Sequence, residues 1–298
     1  IVDYEAIPAL PAYDTTPVLA KDETKEEKPV TIEVGKDAIE TRVLDLGGGV
    51  TMEMVRVPGG RFNGAEIRPF WIGKHEITNE QFRRFKLGHD SRNESRHGYQ
   101  FGRLGYDMNS SRQPAVRVAW NEACDFCKWM AEKNIGPADL PSAAQWEWAC
   151  RAGTTTAFPF GALDCDYSSH ANLGDRRLKE FAACTARENY TKAEPVTNPS
   201  RYDDWVPRDD RFDDGGFVTM DVGHYKSNPW GLHDMIGNAW EWTSESTASG
   251  ERAARGGSWY DRPARSTVGA RVFYQPYQRV FNVGFRIVLV EFPETAKK

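Results

Sequence analysis

The second half of this chain limits its possible folds more than any other feature. Helical periodicity is lost after Gly153, and up to Glu291 the sequence is mostly glycine, asparagine, aspartate, proline and aromatic residues. A stretch of this length without regular structure fits a compact domain only if ions or a dense polar and aromatic network hold its loops. Ten tryptophans, 11 tyrosines and 15 phenylalanines could supply such a network.

The first half carries clearer signals for strands and helices. The run "TRVLDLGGGVTMEMVRVPGGRF" has two alternating segments around glycines and predicts a hairpin. Thr78 with Gln81, and Ser142 with Gln145, are spaced as capping boxes at helix starts, and Gly153 is a terminator. The predicted fold class is therefore α+β, with two main helices on small twisted antiparallel sheets.

Domain organisation follows from the change in composition near residue 40. Residues 1–40 are rich in proline, threonine and charge, which indicates an extended N-terminal arm or linker. A disordered tail and a strap against a partner are both compatible with this composition. We expect one domain over residues 41–292 and a short tail over 293–298. The chain begins at Ile1 rather than methionine, which a removed leader or a cut could equally explain.

Charge and hydropathy exclude two classes of function. The chain has 38 basic and 43 acidic residues, a net charge of −5, so it lacks the basic footprint of a nucleic-acid-binding protein. No apolar run approaches the roughly 18 residues needed for a membrane span, so no transmembrane segment is expected.

The five cysteines are odd in number, so at least one is unpaired within the chain. Cys124 and Cys127 form a C-x-x-C inside "NEACDFCKWMAEK", which has helical periodicity. We expect them to pack on a helix face formed by Ala123, Phe126, Cys127, Met130 and Ala131. A disulfide from one of them, or a redox or zinc role, is the alternative.

Eight sequence blocks occur in the order found in one known family. They are "VPGGRF", "FWIGKHEITNEQF", "QPAVRVAWNEACDFCKWM", "LPSAAQWEWACRAG", "HANLG", "NPWGLHDMIGNAWEWTSE", "RGGSW" and "NVGFRIV". From about residue 43 to 291 the chain resembles the formylglycine-generating enzyme (sulfatase-modifying factor) family. The resemblance implies a C-type-lectin-like fold with little regular secondary structure.

The same resemblance identifies a change at the catalytic positions. Active members bind copper(I) through two cysteines that follow the G-G-S-[WY] block. Here the first falls at Asp261 and the second near Ser266, and residues 185–298 contain no cysteine. Oxygen ligands cannot replace two thiolates on copper(I), so we expect no copper and no catalytic residues for the family's reaction.

Calcium is the metal that the resemblance implies. The segment "DMIGNAWEW" resembles one family calcium loop, and a second joins "HANLG" to the region of "DDGGF". The first would use Asp234, the carbonyls of Gly237 and Ala239, and Glu241. The second would use Asn172, the carbonyl of Leu173, Asp214 and the carbonyl of Phe217. Alternating carboxylates and carbonyls suit calcium, and the alternative for the first loop is a capped turn without metal.

The resemblance also identifies the residues that would line the former catalytic cleft, which is the cleft where active members carry out their reaction. Its expected lining is Trp240, Ser258, Asp261, Arg265, Ser266 and Arg271. Asp261 could act as a base or a hard-metal ligand. The favoured interpretation is an arginine–aspartate ion pair that fills the space of the copper site. His224 and His233 are expected in loops.

A candidate partner surface precedes the last core strand. The segment "FYQPYQRVF" supplies Phe273, Tyr274, Tyr277, Arg279 and Phe281, and exposed tyrosine and arginine are common in interface hot spots. Ordinary packing of half of these rings is the alternative.

Together these features predict a non-catalytic domain that serves as an accessory subunit or recognition module. It would contact other protein subunits through the arm and the aromatic and arginine surface. An oxidoreductase with altered metal chemistry in the same cleft is the alternative, and sulfatase modification by another route is a third. A calcium loop suits a periplasmic or extracellular location, where calcium is plentiful.

Overall fold

A computed structural model describes residues 29–92, 108–178, 184–185, 194–195 and 208–290. One compact unit begins at Thr31. Its first strand, Ile32–Val34, lies within the segment predicted as an arm and pairs with Gly60–Phe62. Residues 1–28 of the predicted arm and the predicted tail over 293–298 lie outside the described residues.

Short strands make up most of the regular structure. In chain order they are β1 (Ile32–Val34), β2 (Glu40–Asp45), β3 (Thr51–Val57), β4 (Gly60–Phe62), β5 (Ala65–Ile67), β6 (Phe70–Gly73), β7 (Ala138–Asp139), β8 (Cys184–Thr185), β9 (Glu194–Pro195), β10 (Trp240–Ser246), β11 (Arg252–Arg255), β12 (Arg271–Tyr274), β13 (Val283–Gly284) and β14 (Val288–Leu289).

The strands form four small sheets. Their orders are β2-β3-β6-β14-β7, β12-β11-β10-β13, β1-β4-β5 and β8-β9. The predicted hairpin is β2 and β3, which pair antiparallel around the turn at 47–49. All three glycines of that turn have positive φ, which explains why the turn contains no other residue type.

The helices begin where the sequence predicts. α1 spans Asn79–Phe85, α2 spans Trp120–Glu132 and α3 spans Ala143–Arg151. Both capping boxes are present. The Thr78 and Ser142 hydroxyls accept the backbone N–H groups of Gln81 and Gln145, and each glutamine side-chain oxygen accepts the backbone N–H of its threonine or serine. The two longer helices and the small sheets confirm the predicted α+β class, and α1 is a third, shorter helix.

The C-x-x-C cysteines lie on α2. Ala123, Phe126, Cys127 and Met130 are buried as predicted, but Ala131 is exposed. The four cysteines whose side chains are described are all free. Burial raises the pKa of the Cys124 thiol to about 11 and that of Cys127 higher still, so neither forms much thiolate near neutral pH. The structure therefore favours helix packing over a redox role.

Buried tryptophans connect distant loops to this core. The indole N–H of Trp148 donates to the Pro58 carbonyl, and that of Trp242 donates to the Val118 carbonyl, both at 2.8 Å. Trp146 donates to the Glu241 carboxylate at 2.7 Å. These bonds are part of the polar and aromatic network that the loop-rich sequence requires. Among the described residues, no helix is both long and apolar enough to cross a membrane.

Candidate functional site

The cleft that the resemblance assigns to the family's chemistry lies where β10 meets β13. These strands run parallel, with Trp240 opposite Val283, and the Trp240 N–H donates to the Asn282 carbonyl at 2.9 Å. Gly257 in the "RGGSW" block has φ of 79°, and a Cβ there would overlap the Ser266 side chain. A glycine is therefore needed for Ser266 to lie against this turn.

Asp261 is the centre of the cleft. Its Oδ2 accepts hydrogen bonds from the Ser258 hydroxyl at 2.5 Å, from the Trp240 indole N–H at 2.8 Å and from the Asn282 amide at 3.5 Å. Burial raises the pKa of this carboxyl above its ordinary value, and the bonds from Ser258 and Trp240 oppose that rise. Neutral donors therefore hold the carboxylate.

The predicted arginine–aspartate pair is only loosely formed. The Nε of Arg265 lies 4.0 Å from Asp261 Oδ1, and 54% of the arginine side chain is exposed. Arg271 does not reach the cleft, because its guanidinium bonds Glu245 on the neighbouring part of the sheet at 2.7 Å. Of the residues expected to meet in the cleft, Trp240, Ser258 and Asp261 do so, and Arg271 does not.

The two positions matched to the family's cysteines lie at the ends of one short turn. A 3₁₀ turn over Pro263–Arg265 separates them. The Ser266 hydroxyl lies 3.5 Å from the Asp261 carbonyl and 3.4 Å from the Arg262 carbonyl. Both side chains are buried, so a carboxylate and a hydroxyl lie at the positions where the resemblance places the first cysteine and, approximately, the second. Among the residues that the structure describes, no histidine bonds Asp261 or Ser266, and His224 and His233 lie in loops, as predicted.

The first predicted calcium loop contains a buried ion pair. The Arg286 Nε donates to Glu241 Oε2 at 2.6 Å and its Nη2 donates to Oε1 at 2.5 Å. Trp146 also donates to Oε2, so both carboxylate oxygens are engaged. Asp234, with φ of 55°, accepts the Gly223 N–H at 2.7 Å.

Glu76 adds a third buried carboxylate to this region. It accepts the Asn238 amide at 3.0 Å and the Ala239 N–H at 3.1 Å. Desolvation and the charge of Asp234 raise the pKa of Glu76 well above its ordinary value, and desolvation raises the pKa of Asp234 to about 6. Three buried carboxylates thus share the single guanidinium of Arg286, and a further cation would reduce their repulsion.

The second predicted calcium loop brings its residues together. Asp214 Oδ2 accepts the Leu173 N–H at 2.7 Å, and the Asn172 amide donates to the Val218 carbonyl at 2.8 Å. Phe217 is partly buried beside a small apolar cluster. Desolvation and the charge of Asp175 raise the pKa of Asp214 to about 7.

The two predicted calcium loops differ in what already bonds their carboxylates. The donor types suit calcium in both. In the first, however, Arg286 already occupies the side of Glu241 where a cation would bind. Within the described ranges, no three or more histidine, cysteine, aspartate or glutamate side chains are arranged to hold a metal ion. At the second loop, Asp214 is bonded by the backbone N–H groups of Leu173 and Gly216 and by the Tyr225 hydroxyl, and not by an arginine.

The predicted partner surface is partly core. Phe281 packs edge-on against Trp259 and Tyr260 with ring centroids 5.9 and 5.5 Å away, and Tyr274 packs against Trp242 at 6.0 Å. Tyr277 is 70% exposed and Phe273 is 37% exposed. Arg279 bonds Glu122 at 2.8 Å while remaining largely in solvent. About half of the rings are thus packed, and the exposed part comprises Phe273, Tyr277 and nearby arginines.

Sequence reasoning missed three residues of these sites. Asn282 was not assigned to the cleft, and Glu76 and Arg286 were not assigned to the first loop. Arg286 gave a usable signal, because a charge inside the apolar run "VGFRIVLV" is either at the surface or paired in the core. Glu76 and Asn282 gave no comparable signal, since both lie in mixed polar sequence.

The fold and cleft together define a class of protein. A family model described as the sulfatase-modifying factor enzyme 1-like domain matches residues 30–290, and the chain belongs to that family. It is 26% identical over 311 residues to the bovine protein named inactive C-alpha-formylglycine-generating enzyme 2, covering 82% of this chain and 90% of that one. It is also 26% identical over 207 residues to mouse formylglycine-generating enzyme, covering 62% of this chain and 46% of the mouse protein.

Solved structures confirm the fold. Treponema denticola variable protein 1 superposes with a TM-score of 0.55 at 19% identity, covering 84% of this chain and 98% of that one. PvdO from Pseudomonas aeruginosa superposes with a TM-score of 0.54 at 20% identity, covering 88% and 99%. The predicted formylglycine-generating-enzyme fold, with few helices and small antiparallel sheets, is therefore correct.

Proposed function

We propose that this chain is a non-catalytic member of the family, which acts as an accessory subunit or recognition module in a protein assembly. The observation that carries the proposal is the Asp261 cluster. A carboxylate bonded by Trp240, Ser258 and Asn282 occupies the pocket that two thiolates would need, and a hydroxyl fills the other position. The similarity to a relative named inactive, over 90% of that relative's length, supports the same conclusion.

A cysteine-restoration experiment tests the proposal. Purified protein given copper, oxygen and a cysteine peptide derived from a sulfatase should form no aldehyde above a buffer control. The double variant Asp261→Cys with Ser266→Cys should bind copper(I) tightly, because the two positions flank one turn. Asp261→Cys alone is the matched control and should bind copper much more weakly. Aldehyde formation by the wild-type protein would refute the proposal.

The second candidate is an oxidoreductase with altered metal chemistry in the same cleft. It is favoured by Asn282, whose Nδ2 lies 3.5 Å from the Asp261 carboxylate and whose Oδ1 is a buried acceptor without a hydrogen-bond partner. Together these oxygens would suit a hard metal rather than copper(I). Elemental analysis of protein purified without chelators separates the candidates. Stoichiometric iron or copper favours the enzyme, and calcium alone favours the non-catalytic module.

We also propose that calcium stabilises the domain, mainly at the second loop. Asp214, Asn172 and the Leu173 and Phe217 carbonyls would hold the ion there. At the first loop, Asp234 and the carbonyls of Gly237 and Ala239 would bind it if Glu241 stays with Arg286. Its role would be structural, neutralising buried carboxylates, and no chemical step is assigned to it.

The proposed location is periplasmic or extracellular, and the proposed partners are other protein subunits. Cell fractionation with a compartment marker tests the location. For the partners, a chain lacking residues 1–30 should remain folded but co-purify with less partner than the full chain. Equal recovery of the same partners would contradict a role for the arm.

A further inference from the structure

The segment that follows the cleft carries an unusual charge distribution. From Arg262 to Val290 there are five arginines and not one aspartate or glutamate, in a chain whose net charge is −5. Four of the arginines, Arg262, Arg265, Arg271 and Arg279, are exposed. Arg271, Arg279 and Arg286 bond carboxylates of other segments, and the exposed Arg262 and Arg265 add positive charge beside β12 that would attract a negatively charged partner.

The same segment contains an edge strand. β12 is the terminal strand of the order β12-β11-β10-β13, and no strand of the described residues pairs with its outer side. Along β12 burial alternates, with Arg271 and Phe273 exposed and Val272 and Tyr274 half-buried. Its outer edge offers backbone donors and acceptors, and one face presents a cation and an aromatic ring two residues apart.

A second edge strand of the molecule lacks this combination. β2 ends the five-stranded sheet and exposes Val43, but its charges are mixed, with Glu40 and Asp45 of one sign and Arg42 of the other. Arg42 is also held over the Trp71 ring, 4.3 Å from its centroid. The acidic residues on this edge would repel an incoming acidic strand. β2 therefore provides an internal reference for β12.

We propose that β12 binds an extended acidic segment of a partner protein by strand addition. The proposal rests on the proposed function, since it specifies the partner of a recognition module. The added strand would pair with the outer edge of β12. It would place an acidic residue beside Arg271 and an apolar residue beside Phe273, which are two positions apart on one face.

The neighbouring residues extend this site. Tyr277 lies three residues beyond the end of β12 and is 70% exposed, so it can cover an apolar side chain further along the segment. Arg271 already bonds Glu245, yet about half of its side chain is in solvent, which leaves guanidinium N–H groups for a second carboxylate. The required pattern is thus an acidic and an apolar residue at alternate positions of an extended peptide.

A peptide-binding measurement on the full chain tests this inference. The probe is a short labelled peptide whose odd positions alternate glutamate and valine and whose even positions are threonine. Fluorescence anisotropy should show saturable binding that weakens as salt is added. The same peptide with lysine in place of glutamate should not bind, and one with alternate backbone nitrogens methylated should bind at least 10-fold more weakly.

Two variants and one matched control locate the contact. Phe273→Thr and Arg271→Gln should each weaken binding about 2- to 5-fold, the size expected for one cross-strand contact. Val43→Thr on β2 should leave it unchanged, and circular dichroism should show all three folded. The inference is overturned if the glutamate peptide does not bind, if the lysine peptide binds equally, or if Val43→Thr has the same effect as Phe273→Thr.

These outcomes are separate from those for the proposed function. Aldehyde formation would refute the non-catalytic proposal whatever the peptide does. A protein that forms no aldehyde and also fails to bind the peptide would refute only the strand-addition proposal.

Discussion

Trp240 and Glu241 are consecutive residues of β10, and two buried carboxylates at this point, those of Asp261 and Glu241, are stabilised in different ways. The Trp240 indole bonds Asp261, which has neutral donors, whereas Glu241 forms an ion pair with Arg286. Successive strand residues point to opposite faces, so one strand serves both sites. Burial of a carboxylate is therefore compensated in two ways beside one strand, by neutral hydrogen-bond donors at Asp261 and by a cation at Glu241.

The largest expected effect comes from breaking the ion pair. Arg286→Met leaves Glu241 buried and uncompensated beside Asp234 and Glu76, and we expect a loss of about 3–5 kcal/mol in the free energy of unfolding. Urea denaturation measures it. The matched control is Arg279→Met, which breaks the more exposed pair with Glu122 and should cost less than about 1 kcal/mol. Similar losses for the two variants would show that Arg286 does not have the special role assigned to it.

Removal of the cleft carboxylate should have a smaller effect. Asp261→Ala leaves the Trp240 indole and the Ser258 hydroxyl without their acceptor, and we expect a loss of about 2–3 kcal/mol in the free energy of unfolding. The same denaturation experiment measures it. A loss as large as that of Arg286→Met would remove the contrast between the two sites.

The pH dependence of stability sharpens the same contrast. Burial raises the pKa of Asp261, so the native state holds this proton more tightly than the unfolded chain. The corresponding stability is present below the ordinary carboxyl pKa and is lost as pH rises through the native value. Asp261→Asn should therefore flatten the decline in melting temperature just above the ordinary carboxyl range. Asp221→Asn, at an exposed site, is the control, and an unchanged slope in Asp261→Asn would contradict the assignment.

Calcium removal tests the proposed role of the loops in stability. An ion that binds only the native state at 100 times its Kd adds about 2.7 kcal/mol, so a chelator should lower the melting temperature by several degrees. Asp214→Asn should reduce this shift more than Glu241→Gln if the ion binds mainly at the second loop. No shift on chelation of protein known to contain calcium would refute the stabilising role.

Rules that depend only on neighbouring residues correctly predicted two helix starts and the turn of the first hairpin. The capping boxes at Thr78 and Ser142 and the glycine turn of the β2–β3 hairpin are determined by neighbours within a few residues, so a short window is sufficient. Asp261, Ser266 and Trp240 were assigned to the cleft through a recognised block order rather than through physical derivation.

Contacts between distant segments could not be predicted from the sequence in this way. The bonds of Arg286 to Glu241 and of Asn238 to Glu76 join residues 45 and 162 positions apart. Arg271 was misplaced for a related reason, because the alternation along β12 sets which face it occupies and the start of that strand was not known. Pairings of this kind depend on the assembled fold, which periodicity does not encode.

The indole hydrogen bonds also bear on how the chain folds. Trp146, Trp148 and Trp242 bond acceptors that are 95, 90 and 124 residues away in sequence. Contacts between such distant residues require large loops to close before they stabilise anything, which slows folding. During synthesis, Trp146 must wait for Glu241 to emerge from the ribosome. We therefore expect the domain to acquire its final structure late and as one unit, and a nascent chain halted before β10 to remain open to proteolysis.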